Sequence, residues 1–291
     1  MKNNRDQYSN LINAIQNNNN VVALSLVTPV TAAYIDKKTK NTALIFACQK
    51  SMESVAMKLI NTGVSNPNEI NNDGETALIL ACKKKLSNVA IQLILTGQSL
   101  PEFIDNNENT ALTIACTNNM ENVALALIAT NKSNPDWVDN NGNTALIIAC
   151  QNQMNNVALA LIATGESSPE VQDNNGFPAL MYACAHKMKM VTLALIATGK
   201  SRPELVSGVK SKQFLNSMLN EYNMTGFIAG TIKANAELSA ENYSDMYSYL
   251  SEETQNAGKG TTKGTTKKGT TKGTTTKGTT KKGTTKKQRV K

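Results

Sequence analysis

The sequence predicts an all-α solenoid of stacked helix-turn-helix repeats followed by a disordered basic C-terminal tail. Three observations carry that reading. Cys48, Cys82, Cys116, Cys150 and Cys184 are each 34 residues apart. Pro67, Pro101, Pro135, Pro169 and Pro203 keep the same step. So do Thr42, Thr76, Thr110 and Thr144, with Pro178 in the fifth slot. Fixed self-similarity over 20–50 residues marks a repeat architecture.

The first element, residues 8–34, reads as a degenerate capping repeat. Residues 11–27 align with residues 44–60 at an offset of 33, with Ile15 in place of the cysteine and Asn17 to Asn20 as the turn. Residues 35–203 then hold five repeats, of which the fourth is the clearest. Its opening, Asp139-Asn140-Asn141-Gly142-Asn143-Thr144, begins with turn formers that tolerate positive φ and ends on a good N-cap. Leu146, Ala149 and Cys150 at helical spacing predict a short first helix. A polar turn follows, and Val157, Ala158, Leu161 and Ile162 form the apolar stripe of a second helix. Gly165 is the expected left-handed terminator, and Pro169 prevents the helix from resuming. The equivalents of Gly165 are Gly63, Gly97, Asn131 and Gly199; Asn is the next-best residue for that conformation.

Residues 204–255 read as a C-terminal cap with additional helices. Phe214, Leu215, Met218, Leu219 and Tyr222 form one helical stripe, and Ala240 to Leu250 is a further candidate. The last element, residues 256–291, is a low-complexity run of Lys, Gly and Thr that cannot bury enough apolar surface to offset the entropy of ordering.

At this point the chain resembles the ankyrin repeat family. The shared pattern is Asp139, Gly142, Thr144, Leu146, Ala149, Val157, Leu161, Ile162 and Gly165, repeated in Asp173, Gly176, Leu180, Ala183, Val191, Leu195, Ile196 and Gly199. Two departures stand out. The period is 34, where the family usually has 33, and the family's Thr-Pro-Leu-His is Thr144-Ala145-Leu146-Ile147 here. The second departure removes the family's inter-repeat histidine bonds and so bears on the rigidity of the stack, not on the fold. The Asn- and Lys-rich wording, with Thr-Gly-x-Ser-x-Pro at the joints (Thr164 to Pro169), also resembles ankyrin repeat proteins of giant DNA viruses of amoebae. An AT-rich protist genome would give similar wording.

Charge is divided unevenly. Residues 259–291 hold 12 of the 30 Lys and Arg and no acid, leaving 18 bases against 22 acids in the rest. The net +8 is therefore a property of the tail. The longest uncharged apolar stretch near the N-terminus, residues 21–35, is too short to span a membrane and contains Pro29. The polar start, residues 1–7, gives no sign of a secretory leader. The expectation is an intracellular protein, cytoplasmic or nuclear (in a host cell if viral), with reduced thiols and no membrane insertion.

Little in the sequence points to catalysis. The cysteines read as small apolar core residues about 10 Å apart in successive repeats, beyond the ~7 Å that a disulfide spans. The sole histidine, His186, falls in a polar turn, with no second histidine to make a metal cluster. Trp137 sits at a repeat joint in the slot of Phe103 and Val171, where packing is the expected role. No cofactor, metal or small-molecule substrate is expected.

The expected function is therefore a non-enzymatic scaffold or adaptor for an unidentified protein partner. The resemblance implies that recognition residues follow the buried Ala-Cys pair: Lys83, Lys84, Thr117, Asn118, Gln151, Asn152, Ala185 and His186. The near-identical tips, such as Asn140 and Asn141, are expected to serve turn geometry. The alternative is a nucleic-acid-associated protein. Lysines without aromatics suit phosphate backbones or an anionic surface, non-specifically, with Lys281, Lys282, Lys286, Lys287 and Arg289 as the densest contacts.

Overall fold

The computed structural model describes residues 2–221. Over this span the chain forms two layers of short antiparallel helices, with no strand among the described residues. The cap consists of α1 (Lys2–Gln16), α2 (Asn20–Leu26) and α3 (Pro29–Ala32). Five pairs follow: α4 (Ala43–Gln49) with α5 (Glu53–Asn61), α6 (Ala77–Lys83) with α7 (Ser87–Leu95), α8 (Ala111–Thr117) with α9 (Glu121–Ala129), α10 (Ala145–Gln151) with α11 (Asn155–Ala163), and α12 (Ala179–Ala185) with α13 (Lys189–Ala197). A 3-10 turn at Pro203–Leu205 leads to α14 (Val209–Glu221). First helices stack on first helices and second on second, so one continuous core runs along the molecule. No single pair buries its own apolar face; the neighbours do it.

The local chemistry accounts for each pair. Thr42, Thr76, Thr110 and Thr144 cap the first helices, their hydroxyls accepting from the backbone N–H three residues on. Pro178 makes no such bond in the fifth repeat. The opening acid or amide of each repeat does a different job. Asp139 Oδ1 accepts from Asn141 N and Asn143 N at 2.8 Å each and so closes the hairpin tip on itself. Gly165 lies at φ +75 and Asn131 at φ +54, the left-handed terminators expected at the joints.

A second left-handed position was not legible. The turn between paired helices holds Ser51, Lys85, Asn119, Gln153 and Lys187, with φ between +55 and +57. None of these is glycine, and three carry long side chains.

The layers are also laced by asparagine. Along the tips, the side-chain N–H groups of Asn72, Asn106, Asn140 and Asn174 donate to the carbonyls of Lys38, Asp73, Asn107 and Asn140, each in the preceding repeat, at 2.7–3.0 Å. At the other end of the first helices, Asn118 donates to Cys82 O and Asn152 to Cys116 O, both at 3.0 Å. The bonds missing with the family histidine are thus replaced by amide-to-carbonyl bonds at two other heights of the stack. The tip asparagines serve inter-repeat contact as well as turn geometry.

The five cysteines are free and buried in the first-helix layer. Trp137 is half-buried at its joint, its indole N–H donating to Glu108 O at 2.8 Å. At the N-terminal end α1 packs on α4, with the Tyr8 hydroxyl donating to Asn41 O at 3.0 Å and its ring 4.4 Å from that of Tyr34. At the other end Leu215, Met218 and Leu219 of α14 are buried, with Phe214 packed beside them. Tyr222, the candidate helix at Ala240 to Leu250 and the tail of residues 256–291 lie outside the described residues. No described helix is long and apolar enough to cross a membrane.

Candidate functional site

The eight residues expected to recognise a partner fall into two adjacent rows. Lys83, Thr117, Gln151 and Ala185 are the last residues of α6, α8, α10 and α12, and Lys84, Asn118, Asn152 and His186 are their C-caps. The repeat brings all of them to one edge of the first-helix layer, at the end of the helices away from the hairpin tips. The burial of the Ala-Cys pair fixes this placement, because the two residues after it must emerge from the core.

The eight are not equivalent. Lys84, Thr117, Ala185 and His186 are exposed. Asn118 and Asn152 are half-buried and hold the preceding repeat. Gln151 is half-buried with its amide 3.3 Å from Asn143 Oδ1.

Lys83 is engaged most fully. Its ammonium lies 3.0 Å from Glu75 Oε1 and 3.0 Å from Asp105 Oδ2 in the next repeat. The Asp105 side chain is 1% exposed, and its other oxygen accepts from Asn107 N and Asn109 N. Burial pulls Lys83 down, but the bonds from Glu75 and Asp105 outweigh it and hold the ammonium above its ordinary pKa. A counterpart lies two repeats on, where the Tyr182 hydroxyl donates to Asp173 Oδ2. Burial raises Asp173, yet the Tyr182 hydroxyl and the N–H groups of Phe177 and Asn175 leave it below the usual carboxylate range.

Glu75, Asp105, Asn143, Asp173 and Tyr182 thus belong with this edge but were not legible as such. Their partners stand 8 to 22 residues away in sequence. The opening acid looks, in sequence, like a turn former and nothing more.

A depression of about 240 Å³ lies between α1, the first tip and α4, lined by Tyr8, Ile12, Asp36, Thr39 and Phe46 among others. Among the described residues no three His, Cys, Asp or Glu side chains are grouped so as to hold a metal ion. Burial pushes the thiols of Cys48, Cys82, Cys116 and Cys184 up to about 12, so none is a nucleophile near neutral pH. The expected polyanion contacts, Lys281, Lys282, Lys286, Lys287 and Arg289, lie outside the described residues.

A family model described as ankyrin repeats (3 copies) matches the chain in four overlapping registers, residues 11–101, 53–135, 90–173 and 125–203. Solved structures are similar too. One is that of EF0377, an ankyrin repeat protein, at 18% identity over 64% of this chain and 96% of that one, with a TM-score of 0.51. An ankyrin repeat domain from Acinetobacter baumannii matches at 23% identity over 65% and 97%, also with a TM-score of 0.51. A chain from the structure of the Bd0816 predatory endopeptidase of Bdellovibrio bacteriovorus in complex with immunity protein Bd3460 matches at 25% identity over 65% and 97%, with a TM-score of 0.49. No curated protein matches the sequence.

Proposed function

The chain belongs to the ankyrin repeat family, and from that premise we propose that its stack is a non-enzymatic scaffold that binds another protein through the edge formed by the ends of α6, α8, α10 and α12. One observation carries the reading. The framework is nearly invariant from repeat to repeat, in its Ala-Cys core, its threonine caps and its tip asparagine bonds, while the two positions after the Ala-Cys pair change: Lys83-Lys84, Thr117-Asn118, Gln151-Asn152, Ala185-His186. A rigid lattice presenting a changing row of side chains is suited to reading an extended protein surface. In a finer form the scaffold is a viral adaptor directed at a host protein, inside the cell. The Asn- and Lys-rich wording supports that form.

The test is affinity capture with the full-length chain from its native cells. A triple variant, Lys84→Glu, Thr117→Arg, Ala185→Arg, should lose the bound protein; Asn122→Lys on the opposite layer should keep it. Capture that is equal in both variants would remove the edge from the account.

A second reading is favoured by the tail. Its 12 basic residues, with no acid, suit phosphate backbones or an anionic surface without base specificity. Tail deletion separates the two readings: protein capture survives it under the first, and polyanion binding collapses under the second.

A further inference from the structure

The acid that opens a repeat spends one carboxylate oxygen on its own tip. Oδ1 of Asp105, Asp139 and Asp173 each accepts from the backbone N–H groups two and four residues on. The other oxygen is answered differently in the three repeats. Asp105 Oδ2 lies 3.0 Å from the ammonium of Lys83, at the end of the preceding first helix. Asp173 Oδ2 accepts from the hydroxyl of Tyr182, in its own first helix, and from the Asn175 amide at 3.5 Å. Asp139 has neither kind of cover. Thr117 stands where Lys83 does; it is too short to cross, and its hydroxyl donates to Thr113 O. Ile148 stands where Tyr182 does and has no donor to offer. Among the described residues no donor bonds Asp139 Oδ2. Asp105 and Asp173 are accordingly 4% and 6% exposed, whereas Asp139 is half-buried.

Lys83 shows what such an oxygen accepts and by which path. It is the last residue of α6, at the end away from the tips, and helical side chains lean towards the helix N-terminus. Its stem therefore runs back along the first-helix layer and brings the ammonium between Glu75 Oε1 and Asp105 Oδ2. Over α8 the same path starts at the exposed Thr117 and ends at Asp139. Asn109 takes the place of Glu75, and its amide N–H groups are spent within its own tip, which leaves its oxygen as an acceptor. The surrounding charge has the sign a cation needs, since residues 86–186 hold nine acids and one base, Lys132. The two earlier tips differ. Asn71 carries no charge and donates to Asn41 Oδ1, and Asp36 lies in the field of Arg5.

On the reading of the edge as the binding surface, we infer that Asp139 Oδ2, with Asn109 Oδ1 in the place of Glu75 Oε1, receives a lysine or arginine side chain of the bound protein. That side chain lies along α8 from Thr117 as the stem of Lys83 lies along α6. The partner thus presents a basic residue to the middle of the row. A neutral or acidic segment there would cover a half-buried carboxylate without pairing it, and that is costly.

Carboxyl-carbon NMR on the full-length chain tests this, with N-acetylarginine amide as the probe and its neutral citrulline analogue as the control. The Asp139 resonance is identified by its loss in Asp139→Asn. That variant keeps the tip closed, because Asn71 makes the same two backbone bonds in the second repeat. The arginine probe should move the Asp139 resonance further than those of the exposed Glu108 and Glu170, and the citrulline probe should leave it in place. Thr117→Lys should supply the cation from within and abolish the effect of the probe. An Asp139 resonance that moves no further than those of Glu108 and Glu170, or a probe effect undiminished in Thr117→Lys, would overturn the proposal. Capture from native cells separates it from the edge reading. Asp139→Asn should release the bound protein about tenfold faster, as expected when one partner of a charge pair is neutralised. If the edge triple variant loses that protein while Asp139→Asn holds it as long as the wild type does, the edge stands and the cation contact falls. If both variants hold it, neither stands.

Discussion

Gly142 and Gly165 both sit at positive φ, but only one is crowded. A Cβ at Gly142 would lie 2.8 Å from the backbone N of Asn174 and 2.9 Å from the carbonyl carbon of Asp173, in the next tip; at Gly165 nothing comes within 4 Å. Gly165→Ala should therefore cost about 1–2 kcal/mol for the left-handed backbone alone. Gly142→Ala should add roughly 1–3 kcal/mol, since two tips must be forced apart. Urea midpoints of the two variants measure the difference, and equal values would mean that the tips do not meet. The buried cysteines make a separate claim about pH. Unfolded thiols titrate near 8.5, whereas Cys48, Cys82, Cys116 and Cys184 are raised by burial to about 12. Above about pH 8.5 the unfolded chain gives up protons that the folded one keeps, so stability falls as pH rises towards 12 and is unaffected by these groups below about pH 7.5. Cys116→Ser should shrink the alkaline loss, at a cost of roughly 1–3 kcal/mol at pH 7 for a buried hydroxyl. Urea melts at pH 7 and pH 10.5 read both effects.

Two of the short first helices, α8 and α10, are bonded at both of their ends. Helix α10 is capped by Thr144 at its start, and at its finish Asn152 ties it to the Cys116 carbonyl of α8. Thr144→Ala should cost about 1 kcal/mol for the cap. Asn152→Ala should cost a similar amount, roughly 0.5–1.5 kcal/mol, for the hydrogen bond. The two ends of a seven-residue helix are about 10 Å apart, so the double variant should show the sum of the two losses. A double-variant loss well below the sum would mean that one end frays whenever the other does. The caps were legible because Thr at a helix start has one dominant use and recurs on the period. The asparagine staples were not, because each joins residues 30 or more positions apart through a side chain whose direction the sequence does not state. The same gap divides the candidate edge. Lys84 and His186 face solvent as the pattern implied, whereas Lys83 is drawn into Glu75 and Asp105 by a carboxylate from the neighbouring repeat. The left-handed turns at Lys85 and Gln153 escaped for the opposite reason. The backbone is forced there by the helices on either side, and the residues that accept it are not ones that favour it.

Over the whole chain, charge runs in blocks. Residues 1–85 carry a net +4, residues 86–186 a net −8 with Lys132 as their one base, and residues 187–221 a net +4. The stack up to Glu221 is therefore neutral in sum, and the four excess acids before the tail belong to residues 222–258. Only residues 259–291, at +12, form a long block of one sign. Any affinity for DNA or RNA should reside there and be driven by counterion release, so it should fall steeply with rising salt. Sequence preference should be slight, since nothing in Gly, Thr and Lys reads base edges or stacks on bases. The acidic middle repeats give the tail an internal competitor. That attraction is screened beyond about 10 Å at 0.1 M salt, so it should lower affinity at low salt and matter little above it. A chain ending at Asn256 should not bind a random duplex, because its two basic ends are separated by the acidic block. A peptide of residues 258–291 should bind weakly, and at low salt more tightly than the full-length chain. The measurement is a salt titration of all three against one duplex. If the shortened chain binds as tightly as the full one, or if affinity is flat from low to moderate salt, the tail is not the polyanion-binding element. The basic ends of the stack, around Lys37, Lys38, Lys84 and Lys210, would then be the place to look.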